Sequence, residues 1–169
     1  MLRHQLTTAV EVPRQALALY VRHLVPIVAI SSIPAAQRLV SVLTRPPDPL
    51  PVLLELLTVA ARVGLVGLIV YWAFVRTPHE GEGQPGRFLR GHWPSLLIQL
   101  ALLAAAVAVF DLLPEQVLVH WIPERSHDLY LGLLLAIKNP TVIAVTLIWT
   151  VLAARQILWY TGESAAARH

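Results

Sequence analysis

The chain has 169 residues, of which 56% are hydrophobic and 14% are charged. A soluble domain carries roughly 25% charged residues, so this composition excludes an ordinary water-soluble protein. The net charge of +3 is small and the basic residues lie near the ends of apolar stretches, which indicates membrane orientation rather than nucleic-acid binding. Cysteine is absent, which excludes disulfides, thiolate metal sites and thiol catalysis.

The first 23 residues predict an amphipathic helix that lies in the membrane interface. Apolar residues recur at spacings of three and four, whereas the polar residues fall elsewhere around the helix. The apolar stripe comprises Leu2, Leu6, Val10, Pro13, Leu17, Tyr20 and Leu24. Pro13 is expected to divide this helix, because an internal proline removes a hydrogen bond and clashes with the preceding turn. The alternative is a solvated tail.

Four apolar stretches are long enough to cross a membrane as helices. A helix needs about 20 mainly apolar residues to span the hydrocarbon core. The stretches that meet this requirement are residues 24–43, 52–75, 93–113 and 140–160. The prediction is therefore an all-α, polytopic membrane protein. It has two parts, an interfacial helix at 1–23 and a four-helix transmembrane domain at 24–169.

The segments between the spans differ in character. The proline-rich stretch 44–51 predicts a stiff link that makes a hairpin of the first two spans, whereas the polar, glycine-rich stretch 77–86 predicts a mobile aqueous loop. Asn139 and Pro140 predict the start of the fourth span, as cap and first helical residue. Residues 114–138 have two interpretations, either separate interfacial helices or a kinked extension of the fourth span.

Arginine and lysine outside the spans predict the orientation of the chain. With four crossings, both termini and the loop after the second span share one side, which holds Arg3, Arg14, Arg22, Arg76, Arg87, Arg90, Arg155 and Arg168. The other side holds Arg38, Arg45, Arg125 and Lys138. This bias predicts that both termini are cytoplasmic. Since lysine occurs only once, the coding genome is expected to be GC-rich, and the membrane to be a bacterial plasma membrane.

Two charged residues inside the second span are the strongest candidates for a partner-binding site. Glu55 and Arg62 are seven positions apart, nearly two turns, and so point the same way. Arg62 lies near the middle of the bilayer, where an arginine costs at least ~2.5–3.5 kcal/mol on insertion scales. Its guanidinium therefore needs a polar partner. The functional interpretation is that another subunit, or a lipid or quinone headgroup, provides this partner. The alternative is an internal structural pair within the chain.

The opposite face of the same helix carries the small residues Ala60, Gly64 and Gly67. Small residues at such spacing let two helix backbones approach closely in a membrane. We predict that this helix has protein on both sides, with Glu55 and Arg62 on one partner-binding face and the small residues on the other. Ordinary packing within the bundle is the alternative interpretation of the small residues.

Two histidines offer a different kind of site. His23 and His92 each precede a span on the predicted cytoplasmic side, and two neutral imidazoles on facing helices are what a bis-histidine haem requires. They are the candidate ligands for haem b or a quinone. The sequence contains no metal-ligand spacing and no catalytic signature, so neither a metal site nor an enzyme is predicted.

The run at residues 17–27, Leu-Ala-Leu-Tyr-Val-Arg-His-Leu-Val-Pro-Ile, resembles the entry to the first membrane helix of small actinobacterial integral membrane proteins. These proteins are akin to the membrane domain of glycerophosphodiester phosphodiesterases. The catalytic domain of that family is absent from this sequence, so the resemblance transfers no active-site residue. It implies a membrane domain and nothing finer.

Taken together, these features predict a non-catalytic accessory subunit of a larger bacterial plasma-membrane complex, with other integral membrane subunits as partners. A transporter for envelope lipids is the favoured partner class, and nucleic acid is not expected as a partner. The first alternative is a small redox subunit that binds haem or quinone through His23 and His92. The second is a small transporter formed by self-association of the chain.

Overall fold

The computed structural model describes residues 2–44, 50–77 and 83–161. Six α-helices make up most of this part of the chain: α1 (Leu2–Arg22), α2 (Leu24–Thr44), α3 (Leu50–Val70), α4 (Pro85–Val107), α5 (His127–Lys138) and α6 (Ala144–Leu158). Three π-helical segments, Tyr71–Val75, Ala108–Val117 and Asn139–Ile143, continue or join them. Short 3-10 turns at Leu118–Trp121 and Glu124–Ser126 connect the two halves of the second hairpin.

Four helical segments are long and apolar enough to cross a membrane: Leu24–Ser41, Leu50–Val75, Pro85–Trp121 and Glu124–Leu158. The predicted all-α membrane fold with four transmembrane helices is therefore confirmed, and the chain associates with a lipid bilayer. The third and fourth segments have 37 and 35 residues, well beyond the ~20 that the hydrocarbon core requires. Residues 114–121 thus continue the third helical segment and residues 124–138 the fourth, and an interfacial position for any of them stays a prediction.

The predicted connections are only partly within the described residues. Residues 45–49 of the proline-rich link and 78–82 of the glycine-rich loop lie outside them. Pro51 is in the first turn of α3 and Pro85 is the first residue of α4, whereas Thr77, Gly83 and Gln84 lie outside the helices. A proline is tolerated in a first helical turn, where its missing N–H would have no partner.

The helix start predicted at Asn139 and Pro140 is wrong, since α5 continues into α6 through the π-helical segment Asn139–Ile143. Two side-chain hydrogen bonds are made at this junction. The amide Nδ2 of Asn139 donates to the Leu135 carbonyl (3.0 Å), and the Tyr20 hydroxyl donates to the Pro140 carbonyl (2.9 Å). The local sequence signal is overridden because a π-helical turn accommodates the proline, and the Tyr20 bond and packing against α2 hold the junction in place.

Helix α1 is a single helix through Pro13, so the predicted division at this proline is also wrong. Its small-residue face, formed by Ala9, Val12 and Ala16, is buried, and the helix packs against α4 and α6. This tertiary packing outweighs the loss of one backbone hydrogen bond. The apolar residues Leu6, Val10 and Leu17 point outward beside the buried face, as an interfacial helix requires; its position in the interface stays a prediction.

Four helix ends meet at one end of the bundle: the starts of α2 and α4, and the ends of the second and fourth spans. His23 stacks on Trp72, and Phe74 meets Trp159 edge to face. The backbone N–H of Gln84 donates to the backbone carbonyl of Tyr160 (2.7 Å), and this bond connects the start of α4 to the end of α6. The spans therefore alternate in direction, as four successive crossings require. The main core forms between α3 and α6, around Leu65, Ile69, Ala144, Ile148 and Leu152.

Candidate functional site

Helix α3 exposes most of its circumference and buries one narrow face. The buried residues are Thr58, Ala61, Leu65 and Ile69, which pack toward α2 and α6. Glu55 and Arg62 lie on the border of this face, and both are exposed. In the described part of the chain neither of them forms an ion pair or a hydrogen bond; the ion pairs found there involve Lys138. Arg62 is 12 residues from Leu50, near the middle of its span.

The small-residue face of α3 is open. Ala60, Gly64 and Gly67 are exposed, and a Cβ atom added to either glycine would meet no other atom within 4 Å. Packing of these residues inside the single chain, the alternative raised by the sequence, is not what the structure has. The face is free to approach another helix backbone closely.

A crevice beside Arg62 contains a second polar group. It encloses only about 10 Å³, roughly the room of one water molecule, and is lined by residues of α2, α3 and the α5–α6 junction, among them Ser31, Pro34, Arg62, Asn139 and Ile143. Ser31 is 2% exposed, and its hydroxyl has no hydrogen-bond partner among the described residues. A buried hydroxyl without a partner costs roughly 1–3 kcal/mol.

The two histidines considered for a cofactor lie in aromatic contacts. The His23 ring stacks on Trp72, with centroids 3.9 Å apart, and the His92 ring lies against Phe88 and Tyr160, at 5.1 Å from each. Burial lowers the pKa of His23 below its ordinary value of 6.5, and the charges of Arg22 and Arg76 lower it further. His23 is therefore neutral at pH 7. A role for either histidine in binding haem or quinone stays a prediction.

Among residues 2–44, 50–77 and 83–161, no cluster of three or more histidine, aspartate or glutamate side chains could hold a metal ion.

A buried ion cluster, which sequence reasoning missed, lies at the other end of the bundle. Lys138 at the end of α5 pairs with Asp111 and with Glu115, whose Oε1 is 2.7 Å from the lysine nitrogen. The Lys138 side chain is 4% exposed, whereas Asp111 and Glu115 are 45% and 35% exposed. The lysine is thus the buried member, and the two carboxylates reach the surface.

The ion cluster coincides with irregular backbone. Asp111 and Glu115 belong to the π-helical segment Ala108–Val117, and Lys138 directly precedes the π-helical segment Asn139–Ile143. Tyr130 supports the same region, since its hydroxyl donates to the Pro114 carbonyl (3.1 Å). The signal available in the sequence was a single lysine at the edge of a span, together with two acids four residues apart, the spacing of helix neighbours.

Helix α4 attaches to the bundle through polar contacts as well. Gln99 donates to the Gln156 side chain across α4 and α6 (2.9 Å), and Gln5 of α1 donates to the Gly91 carbonyl (3.4 Å). Ser95, one turn from Gln99, is fully buried on the same face. Interhelical hydrogen bonds of this type hold membrane helices together where apolar burial cannot.

No protein-family model matches the chain, and no curated protein or solved structure is significantly similar to it. The resemblance of residues 17–27 to small actinobacterial membrane proteins therefore remains a prediction.

Proposed function

We propose that this protein is a non-catalytic accessory subunit of a larger membrane complex, and that the outward surface of α3 binds a partner subunit. The observation that supports this proposal is the position of Arg62. Its guanidinium is exposed near the middle of a membrane span, and no described residue pairs with it. A charged side chain at that depth is stable only when a polar group pairs with it, and an adjoining membrane protein is the expected source of that group.

The rest of α3 supports the same role. Its small-residue face, Ala60, Gly64 and Gly67, is open to another helix, while Glu55 and Arg62 provide polar contacts on the other side. A helix that offers both close packing and hydrogen bonding suits a position between two protein neighbours. The complex would lie in a bacterial plasma membrane with both termini of this chain in the cytoplasm. A transporter of envelope lipids is the partner class that we favour.

The proposal is tested by replacing Arg62 with leucine and measuring co-purification of partner subunits in mild detergent. Arg62→Leu should reduce recovery of the partner at least roughly tenfold, a loss of about 1.4 kcal/mol in binding free energy, while the amount of protein in the membrane is unchanged. Arg14→Leu, which removes an exposed arginine from α1, is the matched control and should leave recovery as it is. Unchanged recovery with Arg62→Leu would contradict the proposal.

A further inference from the structure

Arg62 has the chemistry of a receptor for one acidic side chain. Its side chain is exposed at the edge of the crevice, whose walls are largely apolar, with Ile30, Leu65 and Leu147 among them. A guanidinium can donate to both oxygens of a carboxylate, and such charge-assisted bonds strengthen in an apolar surrounding.

A second copy of this chain does not fit that receptor. Glu55 and Arg62 are seven residues apart, about 10 Å along the helix axis, and copies inserted in the same direction present equal residues at equal depth. A two-fold dimer through this face would bring Arg62 against Arg62 and Glu55 against Glu55. Like charges at a shared depth repel each other, so this surface disfavours a second copy of the chain. It favours a partner helix with an acidic group at the depth of Arg62 and a basic group at the depth of Glu55.

We infer that the partner of α3 is a membrane helix that carries an aspartate or glutamate at the depth of Arg62, and that this carboxylate pairs with the exposed Arg62 guanidinium at the edge of the crevice. The partner also carries a basic or hydrogen-bond-donating side chain about 10 Å further along, opposite Glu55. The inference rests on the proposed function, because it assumes that a partner covers α3. It adds the chemistry by which that partner is recognised.

The test uses the full chain in liposomes and two synthetic transmembrane peptides of leucine and alanine, one with a central glutamate and one with a central glutamine. Because the chain has no cysteine, a Thr161→Cys variant takes a single fluorophore, and energy transfer to labelled peptide reports binding. At pH 8 the glutamate peptide should bind roughly tenfold more tightly than the glutamine peptide. Arg62→Leu should abolish the difference.

A charge exchange distinguishes recognition from loss of folding. Arg62→Glu should bind a peptide with a central lysine in preference to the glutamate peptide, which an unfolded variant would not do. Equal binding of the glutamate and glutamine peptides to the unchanged chain would overturn the inference. So would Arg62-dependent energy transfer between two labelled copies of the chain in the absence of peptide, because it would show that a second copy occupies the face.

The outcomes separate this inference from the proposed function. If co-purification depends on Arg62 but the peptides bind equally, the chain has a partner on α3 that uses a group other than a carboxylate. If the glutamate peptide is preferred but co-purification is independent of Arg62, Arg62 binds a carboxylate and the accessory-subunit proposal fails.

Discussion

The ion cluster of Lys138, Asp111 and Glu115 makes an asymmetric prediction about stability. The lysine is the buried member and the carboxylates are partly exposed. Replacing both carboxylates, by Asp111→Leu and Glu115→Leu, leaves a buried ammonium without a partner and should cost about 3–5 kcal/mol. Replacing the lysine, by Lys138→Met, leaves two carboxylates that are already partly exposed and should cost only about 1–2 kcal/mol.

The triple variant Asp111→Leu, Glu115→Leu, Lys138→Met completes the test. It removes all three charges, and exchange of a buried ion group for apolar side chains of similar size is often neutral. Its free energy of unfolding should therefore lie within about 1 kcal/mol of the unchanged protein. The assay is unfolding in mixed micelles with increasing dodecyl sulfate, followed by far-ultraviolet circular dichroism. The reasoning is refuted if Lys138→Met costs as much as the double carboxylate variant.

Three further predictions follow from the other end of the bundle. An added Cβ at Gly83 would collide with the Leu158 carbonyl, whereas one at Gly86 meets nothing within 4 Å; Gly83→Ala should thus lower the thermal midpoint and Gly86→Ala should not. The lowered pKa of His23 means that the folded protein resists protonation of this imidazole, so the free energy of unfolding is greatest above pH 6.5 and falls as the pH drops below that value. His23→Gln should weaken this pH dependence of stability. A nuclear magnetic resonance titration that gives His23 a pKa above 6.5 would contradict the prediction. Purified protein should show no Soret band, whereas a band lost in the His23→Ala, His92→Ala variant would favour the redox alternative.

Two prolines show where local sequence signals fail to predict helix boundaries. Pro13 and Pro140 each predict a boundary, because proline lacks the N–H that an α-helix uses. Both lie inside continuous helices, since α1 is held by packing along its length and Pro140 sits in a π-helical turn supported by Asn139 and Tyr20. One of the contacts at Pro140 comes from a residue 120 positions away. No window of sequence contains that information.

The sequence alone determined that the chain is helical and that it crosses a membrane, because the bilayer demands long apolar helices whose backbone bonds are satisfied internally. It also identified Glu55 and Arg62 as charges that need an explanation. Only the tertiary structure decided which charges find partners. Lys138 meets two carboxylates across a hairpin, whereas Arg62 faces outward and has no ion-pair partner among the described residues. Pairing depends on which helix faces meet, and that is a property of packing rather than of composition or periodicity.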